Sequence, residues 1–251
     1  MAPGLADALS RHWYHTIDLA PGATTSGAVD LRSLAPKVLP ARLDGRRALD
    51  VGTFDGFWAF ALEQRGAEVI ATDVDRFDDL DWPPLHAAAN AREAGDDGPG
   101  TRFGLAAELL GSKVRRVVST VHDLDADRIG GPVDYAVMGD LLLHVRDPVG
   151  ALERGRDVLA PGGTLLSLEQ INLPLTVLRP RRAAAAFVAR SARMSWWEAN
   201  VQAIRDWFAV AGFGSTKVRR VYRLQAHGAQ KRWHVAIEAQ PTATGSRRRA
   251  T

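Results

Sequence analysis

The residues best placed to bind a ligand lie between Asp50 and Asp73. An apolar segment, residues 47–51, runs into Gly52, and Gly56 precedes an apolar segment with helical spacing. Glycines at such a strand-to-helix turn let the backbone approach a ligand closely at the carboxyl edge of a sheet. Asp73 ends the next apolar segment, where an acidic side chain can accept hydrogen bonds from both hydroxyls of a ribose. The spacing therefore predicts a site for a cofactor that contains a nucleoside.

Two classes of cofactor fit a ribose-binding acid: a nicotinamide dinucleotide and an adenosyl cofactor. A complete G-x-G-x-x-G loop favours the dinucleotide, because its pyrophosphate needs a helix N-terminus free of side chains. Here Phe54 and Asp55 occupy the loop. A bulky ring and a negative charge oppose a pyrophosphate but are compatible with a sulfonium cation and its ammonium group. The loop therefore favours the adenosyl cofactor.

Histidines supply the candidates for proton transfer. His144 is of the residue type that titrates near neutrality, and it could take a proton from a phenol or another hydroxyl acceptor. The alternative for His144 is a buried histidine bonded to a backbone carbonyl. His12 and His15 flank Trp13 and Tyr14 on a segment that could close over the cofactor, although one amphipathic helix packed on the sheet would also explain that segment.

The elements that must position these residues alternate regularly from residue 46 onward. Strands are predicted at 47–51, 68–73, 114–120, 133–138 and 164–169, with helices at 57–65, 101–110 and 149–159. A helix at 199–211 and a hairpin with strands at 215–224 and 232–239 follow. Because the first five strands are apolar without polar alternation, the pattern predicts an α/β, Rossmann-like fold with a mainly parallel sheet and an antiparallel C-terminal strand.

The same reading divides the chain into three parts. Residues 1–45 are predicted to form an N-terminal helical cap, with short helices at 5–15 and 31–39. Residues 46–240 form the Rossmann-like cofactor-binding domain, in which 172–198 interrupt the alternation as a small helical lid. Residues 241–251 are predicted to be a disordered basic tail.

Composition excludes several kinds of chemistry. The 251 residues include no cysteine, which excludes a thiol nucleophile, Cys-ligated zinc and iron–sulfur clusters. The histidines are scattered, so no metal site is predicted. No apolar run approaches the roughly 20 residues needed to cross a bilayer, and the first residues lack the order of a signal peptide. We therefore expect a cytoplasmic protein with no membrane contact.

A mild positive charge leaves the partner open. The net charge is +3, and 28 of the 32 basic residues are Arg, which fits a GC-rich coding bias at least as well as nucleic-acid binding. The arginines and tryptophans of the predicted lid could bind RNA, or could surround an anionic or aromatic small molecule. A solvated helix over a tryptophan core is the third possibility. The lid residues concerned are Arg179, Arg182, Trp196 and Trp197.

In sequence order, these segments resemble the motifs of class I S-adenosylmethionine-dependent methyltransferases. Residues 50–56 (DVGTFDG) resemble motif I, with Phe54 in place of the usual middle glycine, and Asp73 matches the acidic end of motif II. Residues 122–124 (HDL) are similar to the segment that flanks the adenine. Residues 139–148 (GDLLLHVRDP) resemble motif IV, and 159–165 (LAPGGTL) the turn before the fifth strand. The resemblance covers roughly residues 12–240.

Within that class the chain looks most similar to the tRNA wobble-uridine carboxymethyltransferase group. The shared parts are Trp13 with Ile17 and Asp18, the motif IV stretch ending in His144, and residues 211–213. In that group a tyrosine before this histidine helps to hold the carboxylate of carboxy-S-adenosylmethionine. Leu143 stands there instead and offers no donor. The departure favours ordinary S-adenosylmethionine and simple methyl transfer.

The resemblance implies a set of site residues. Asp123 would pair with the adenine amino group, and Asp50 either contacts the cofactor amino group through water or orders the loop. The cofactor-binding residues implied in this way are Asp50, Gly52, Thr53, Phe54, Gly56, Asp73, Val74, Asp123, Leu124, Gly139, Trp13 and Tyr14. His144 and His15 are the catalytic candidates.

Three functions remain open at this point. The first is methyl transfer to an oxygen, nitrogen or carbon of a small molecule. Oxygen is favoured because His144 offers a base, and the acceptor would then be a hydroxyl-bearing metabolite that could also be anionic or aromatic. The second is modification of tRNA at the wobble uridine, which Leu143 disfavours and the lid arginines favour. The third is a non-methylating enzyme or a binding protein that uses the same fold. The sequence leaves the oligomeric state undetermined.

Overall fold

A seven-stranded sheet forms the centre of the computed structural model, which describes residues 4–86, 89, 98–225 and 230–242. Four short strands precede the sheet: β1 Trp13–His15, β2 Asp18–Ala20, β3 Ala23–Thr24 and β4 Gly27–Val29. The strands of the sheet are β5 Arg47–Val51, β6 Glu68–Asp73, β7 Arg115–Val118, β8 Val133–Gly139, β9 Leu159–Ile171, β12 Lys217–Leu224 and β13 Arg232–Ala239. A further pair, β10 Ala185–Phe187 and β11 Trp197–Ala199, lies outside it.

The strand order confirms the predicted α/β fold. Across the sheet it is β12-β13-β9-β8-β5-β6-β7. The five strands from β9 to β7 run parallel, and β13 and β12 are antiparallel to their neighbours. Consequently β5, β6 and β8 all end at one edge, where open parallel sheets bind their ligands.

Apolar side chains cover both faces of the sheet, which explains why its strands lack polar alternation. On β5, Ala48 points into one buried cluster and Leu49 into the other, as the two-residue period of a strand requires. The helices are α1 Leu5–Ser10, α2 Ala35–Val38, α3 Phe57–Glu63, α4 Pro99–Leu110, α5 Pro148–Asp157, α6 Leu173–Leu178 and α7 Val201–Val210.

The N-terminal segment is not the helical cap that its sequence predicts. The first helix ends at Ser10, and residues 13–15 continue as strand β1, which pairs in parallel with β4. The extended form is stabilised because Trp13 is buried and its indole Nε1 donates to the Ala8 carbonyl at 2.7 Å. The second predicted helix shortens to Ala35–Val38.

The segment 172–198 is likewise only partly helical. It contains α6 and the antiparallel pair of β10 with β11. Asn200 fixes the segment to the start of α7, because its side chain caps that helix and its Nδ2 donates to the carbonyls of Arg179 and Arg182. The basic tail predicted at 241–251 begins with two placed residues, Pro241 and Thr242, which pair with the turn at 212–213. Residues 243–251 lie outside the described residues.

No helix in the described part of the chain is long and apolar enough to cross a membrane.

A substitution in helix α7 can test how the buried cluster that contains Leu49 is stabilised. Phe208 is fully buried there and meets Phe213 edge to face, with ring centroids 5.1 Å apart. We expect Phe208→Ala to lower the free energy of unfolding by about 3–5 kcal/mol, because burial is lost and a cavity remains. Denaturant titration measures this change. Val210→Ala on the same helix is the control, since Val210 is 72% exposed, and an equal loss in both variants would contradict the assignment.

Candidate active site

A cavity of about 980 Å³ opens at the carboxyl ends of β5, β6 and β8. Its floor includes Gly52, Asp73 and Gly139, one from each strand end. Its other walls include residues of β1, β4, the start of α4 and strand β12, together with the loop after β6 and the turn that ends at His144. The volume lies at the upper end of the range for ligand sites, about 300–1,000 Å³.

The loop after β5 is held in a left-handed backbone conformation that few residues adopt. Gly52, Phe54 and Gly56 have φ values of 72°, 52° and 97°. A Cβ at Gly56 would lie 2.4 Å from the ring of Phe60, so this glycine packs the loop against α3 and does not face the cavity. Phe54 is not a glycine, and its backbone strain is offset by a hydrogen bond from its amide to Asp73 Oδ2 at 2.7 Å.

Asp73 lies at the point where the loop meets the cavity. It accepts from the amides of Phe54 and Val74, both at 2.7 Å, and its carboxylate lines the cavity. Burial raises the pKa of Asp73 to about 6, although both amide hydrogen bonds oppose the rise. At neutral pH the group is therefore a carboxylate that faces the ligand space. Val74 itself is buried and does not line the cavity.

Asp50 and Thr53 lie beneath the loop, outside the cavity. The Thr53 hydroxyl donates to Asp50 Oδ2 at 2.7 Å, and the Ala59 amide donates to the same oxygen at 3.0 Å. Burial raises the pKa of Asp50 to about 7. Of the two roles that the sequence allows for Asp50, this geometry supports ordering of the loop. Thr53, which the sequence predicts as a cofactor-binding residue, is buried and does not line the cavity.

Asp55 joins the loop to the N-terminal strand. Its fully buried carboxylate accepts from the amides of Tyr14 at 3.0 Å and His15 at 2.8 Å, and from His15 Nδ1. The bonds place Trp13, Tyr14 and His15 on the cavity wall. Sequence reasoning treats Asp55 only as a charge that opposes pyrophosphate, and misses this role because its partners lie about 40 residues away.

His144 lies on the cavity wall, as a catalytic role requires. It ends a 3₁₀ turn, Leu142–His144, and its Nδ1 is 2.6 Å from the carbonyl oxygen of Met194. Since a carbonyl only accepts hydrogen bonds, Nδ1 carries the proton and Nε2 is the acceptor in the neutral ring. The backbone bond that the sequence allows as an alternative to catalysis is therefore present, and it leaves Nε2 available.

Aromatic rings form much of the wall. Phe54 meets Tyr14 edge to face at 5.4 Å, and Phe77 stacks on Trp82 at 5.9 Å. The indole of Trp58 lies against Gly139, where an added Cβ would come within 2.6 Å of its Nε1. These rings suit a flat, apolar ligand. The sequence gives no signal for Phe77 and Trp82, which follow β6 in a loop.

The predicted adenine-side residues do not reach the cavity. Asp123 is exposed and accepts from the Thr120 hydroxyl at 2.7 Å, while Leu124 is buried in the core. Both lie in the turn after β7, and the cavity is lined instead by Phe77, Leu80 and Trp82.

The predicted lid contacts are not present either. Arg179 and Arg182 are exposed and do not line the cavity. Trp196 and Trp197 donate from their indoles to the carbonyls of Asp81 and Arg146, so both serve packing. Of the lid segment, Met194 lines the cavity. The arginines on the cavity wall are Arg11 and Arg102, and the latter donates to the His12 carbonyl at 2.9 Å with its guanidinium 5.4 Å from the Phe54 ring.

Leu143 also lies outside the cavity. Its carbonyl accepts from the Trp196 amide at 2.8 Å. The presence of leucine in place of tyrosine at position 143 is therefore no argument about which cofactor binds. The assignment of the cofactor rests on the fold and the family.

The fold and the site together define a class I methyltransferase that uses S-adenosylmethionine. A family model described as a methyltransferase domain matches residues 27–218, and the chain belongs to this family. No curated protein matches the chain.

Solved structures share the fold at low identity. The 1,6-didemethyltoxoflavin-N1-methyltransferase of Burkholderia thailandensis, crystallised with 1,6-didemethyltoxoflavin and S-adenosylhomocysteine, is 17% identical with a TM-score of 0.53, over 80% of this chain and 72% of that chain. The N-terminal domain of EvdMO1, with S-adenosylhomocysteine and D-fucose, is also 17% identical at a TM-score of 0.53, over 84% and 81%. The O-methyltransferase NcsB1 is 18% identical at 0.52, over 83% and 52%.

These comparisons support the wider class and not the narrower resemblance. The S-adenosylmethionine methyltransferase prediction is confirmed, as is the cofactor. The finer assignment to the tRNA wobble-uridine group has no support among them.

The carboxylate of Asp73 provides a direct test of the cofactor site. We expect Asp73→Asn to weaken S-adenosylhomocysteine binding at least tenfold, because a charge-assisted hydrogen bond contributes about 1.5–3 kcal/mol. Calorimetric titration of both proteins measures the change. Asp75→Asn is the matched control, since Asp75 pairs with Arg116 outside the cavity. Unchanged affinity in the Asp73 variant would remove Asp73 from the cofactor site.

The raised pKa of Asp50 predicts that the free energy of unfolding depends on pH. Its pKa rises from the ordinary 3.8 to about 7 on folding, so the folded state holds the proton more strongly than the unfolded state. This contribution to stability is present at low pH and is lost as the pH rises from about 4 through 7. We expect Asp50→Asn to flatten the fall in the free energy of unfolding between pH 5 and pH 7.5. Denaturant titrations at both pH values measure this fall for the natural chain, for Asp50→Asn and for the control Asp134→Asn. An equally steep fall in Asp50→Asn and in the control would contradict the prediction.

Proposed function

We propose that the protein transfers the methyl group of S-adenosylmethionine to a hydroxyl oxygen of a small molecule. The observation that carries the proposal is a histidine on the cavity wall, His144, whose Nδ1 is bonded to the Met194 carbonyl. Its Nε2 is left as a proton acceptor. Hydroxyl acceptors gain most from such a base, since a proton must leave the oxygen during transfer.

The residues at the strand ends fit the cofactor. When bound, S-adenosylmethionine supplies an electrophilic methyl group on a sulfonium centre. On this proposal Asp73 accepts from the ribose hydroxyls, at the edge of the sheet where Gly52 and Gly139 also line the cavity. Trp13, Tyr14 and Phe54 form part of the wall of the same cavity.

His144 is the better of the two histidines for removing the proton. It is only half-buried, so a proton taken from the acceptor can pass to solvent. His15 is 7% exposed, and Asp55 engages its Nδ1. That pairing orients the His15 ring in the way a carboxylate orients a catalytic histidine, and we assign it a supporting role beside the acceptor.

The walls favour an aromatic acceptor. Trp58, Phe54 and Tyr14 present ring faces and edges to one cavity that is large enough for a cofactor and a second molecule. Two structural neighbours act on or bind aromatic small molecules: the didemethyltoxoflavin methyltransferase, and NcsB1, which was crystallised with 2-hydroxy-5-methyl naphthoic acid. The exposed lid arginines lie outside this cavity and give no support to RNA as the acceptor.

A panel of phenols, alcohols, amines and unmodified tRNA tests the proposal, with formation of S-adenosylhomocysteine as the measurement. We expect product with phenols and alcohols. Transfer to amines or tRNA alone would reject O-methylation. Binding of S-adenosylmethionine without product from any acceptor would favour a binding protein.

His144 can then be tested with the best acceptor of the panel. We expect His144→Asn to lower kcat by about 10²-fold or more, while affinity for S-adenosylhomocysteine stays unchanged, because asparagine can still donate to the Met194 carbonyl. His15→Asn should cause a smaller loss. His86→Asn is the control, since His86 bonds to the Arg190 carbonyl outside the cavity. Full activity of the His144 variant would exclude His144 as the base.

A further inference from the structure

A second polar group lies on the cavity wall, at the end of β8. Asp140 has a φ of 48°, and its amide donates to the Leu168 carbonyl at 2.6 Å. Its Oδ1 accepts from the Gln170 amide at 2.9 Å. A non-glycine residue in this conformation is uncommon, although Asp and Asn adopt it more readily than most. The backbone therefore fixes this carboxylate at the cavity wall.

A buried histidine stands behind Asp140. His234, which is 4% exposed, has Nε2 3.3 Å from Asp140 Oδ2 and Nδ1 3.1 Å from the Arg232 carbonyl oxygen. Both neighbours are hydrogen-bond acceptors, which favours the doubly protonated, cationic form of the His234 ring. Burial opposes that charge, but Asp140 and the Arg232 carbonyl raise the pKa of His234 overall. Asp140 lines the cavity and His234 does not, so a ligand in the cavity would contact the carboxylate and not the histidine.

Two phenols line the same cavity as this carboxylate. Tyr222 lines the cavity and stacks on His234 with ring centroids 5.3 Å apart and planes 21° apart. Tyr14 lines the cavity from β1. Burial and the charge of Asp140 raise the pKa of both tyrosines above the ordinary value of 10. Both therefore remain protonated hydroxyl groups at neutral pH, able to donate as well as to accept.

We propose that Asp140, on the wall of the cavity that Tyr222 and Tyr14 also line, forms a subsite that accepts a hydrogen bond from a hydroxyl of a neutral aromatic acceptor and disfavours aromatic carboxylates. Each oxygen of Asp140 has one protein partner and retains lone pairs for a second donor. An acceptor carboxylate would bring a like charge to the same oxygens and would have no donor to offer them. The subsite deepens the proposed function, on which it rests, by naming the class of acceptor.

Two probes of the same shape test the proposal without turnover. 2-Naphthol and 2-naphthoate share a flat bicyclic ring suited to the aromatic walls, and they differ in the group that would meet Asp140. Each is titrated into the protein saturated with S-adenosylhomocysteine, and ligand-observed NMR measures the affinity. We expect the natural chain to prefer 2-naphthol by about tenfold or more, as a charge-assisted hydrogen bond implies.

Asp140→Asn isolates the role of the charge from the general cost of placing a carboxylate in an apolar cavity. Asparagine tolerates the left-handed backbone, and its amide can donate to a neutral His234, so the fold is preserved. We expect the preference for 2-naphthol to fall at least about fivefold, consistent with loss of a bond to a charged group. Asp206→Asn, which removes an exposed carboxylate on α7, is the control and should leave the preference unchanged.

Several outcomes would overturn the subsite. These are equal affinity of the two probes in the natural chain, no binding of 2-naphthol, or an unchanged preference in Asp140→Asn. Loss of S-adenosylhomocysteine affinity in that variant would assign Asp140 to the cofactor and would also reject the proposal. Failure of methyl transfer to hydroxyls in the acceptor panel, with the probe preference intact, would reject only the proposed function.

Discussion

The site depends on one buried carboxylate. Asp55 accepts hydrogen bonds from two backbone amides and one ring nitrogen of strand β1, and these bonds close the N-terminal segment over the carboxyl edge of the sheet. A fully buried carboxylate costs several kcal/mol unless it is paired and hydrogen-bonded, so the strand and the loop stabilise each other. Asp55 thereby joins the glycine loop to the strand that carries Trp13, Tyr14 and His15 on the cavity wall.

The same edge concentrates strain and buried charge. Phe54 and Asp140 adopt left-handed backbone conformations, and Asp73 and Glu169 are buried with raised pKa values. Each of these features opposes folding, and each is offset by hydrogen bonds with residues close by in the fold. The apolar layers on both faces of the sheet supply the stability that offsets them. The edge is therefore already shaped for a ligand before one binds, which reduces the ordering cost of binding.

The parts of the molecule that follow from local pattern were predictable. Apolar strands, helical spacing and the glycine turns predicted a mainly parallel sheet with an antiparallel C-terminal strand, and predicted Asp73 at the end of its second strand. The pattern failed where tertiary contacts decide: β1 is a strand because it pairs with β4 and because Asp55 binds its amides. Asp123 and Arg179 have the right residue type in the right motif order, but their position relative to the cavity depends on loop paths that no local pattern encodes. Tyr222 and His234 were missed because they lie on a hairpin far along the chain from the motifs.

The order of the strands along the chain determines when the cavity can be completed during synthesis. The cavity is built from both ends of the described chain, since β1 supplies one wall and β12 another, while β13 joins β12 to β9. Domains fold during synthesis as their parts leave the ribosome. A nascent chain that stops before residue 217 has the glycine loop and Asp73 but lacks Tyr222 and the partner of Asp140. Ligand contacts on that side can therefore help to stabilise the native sheet only after its last two strands have been made.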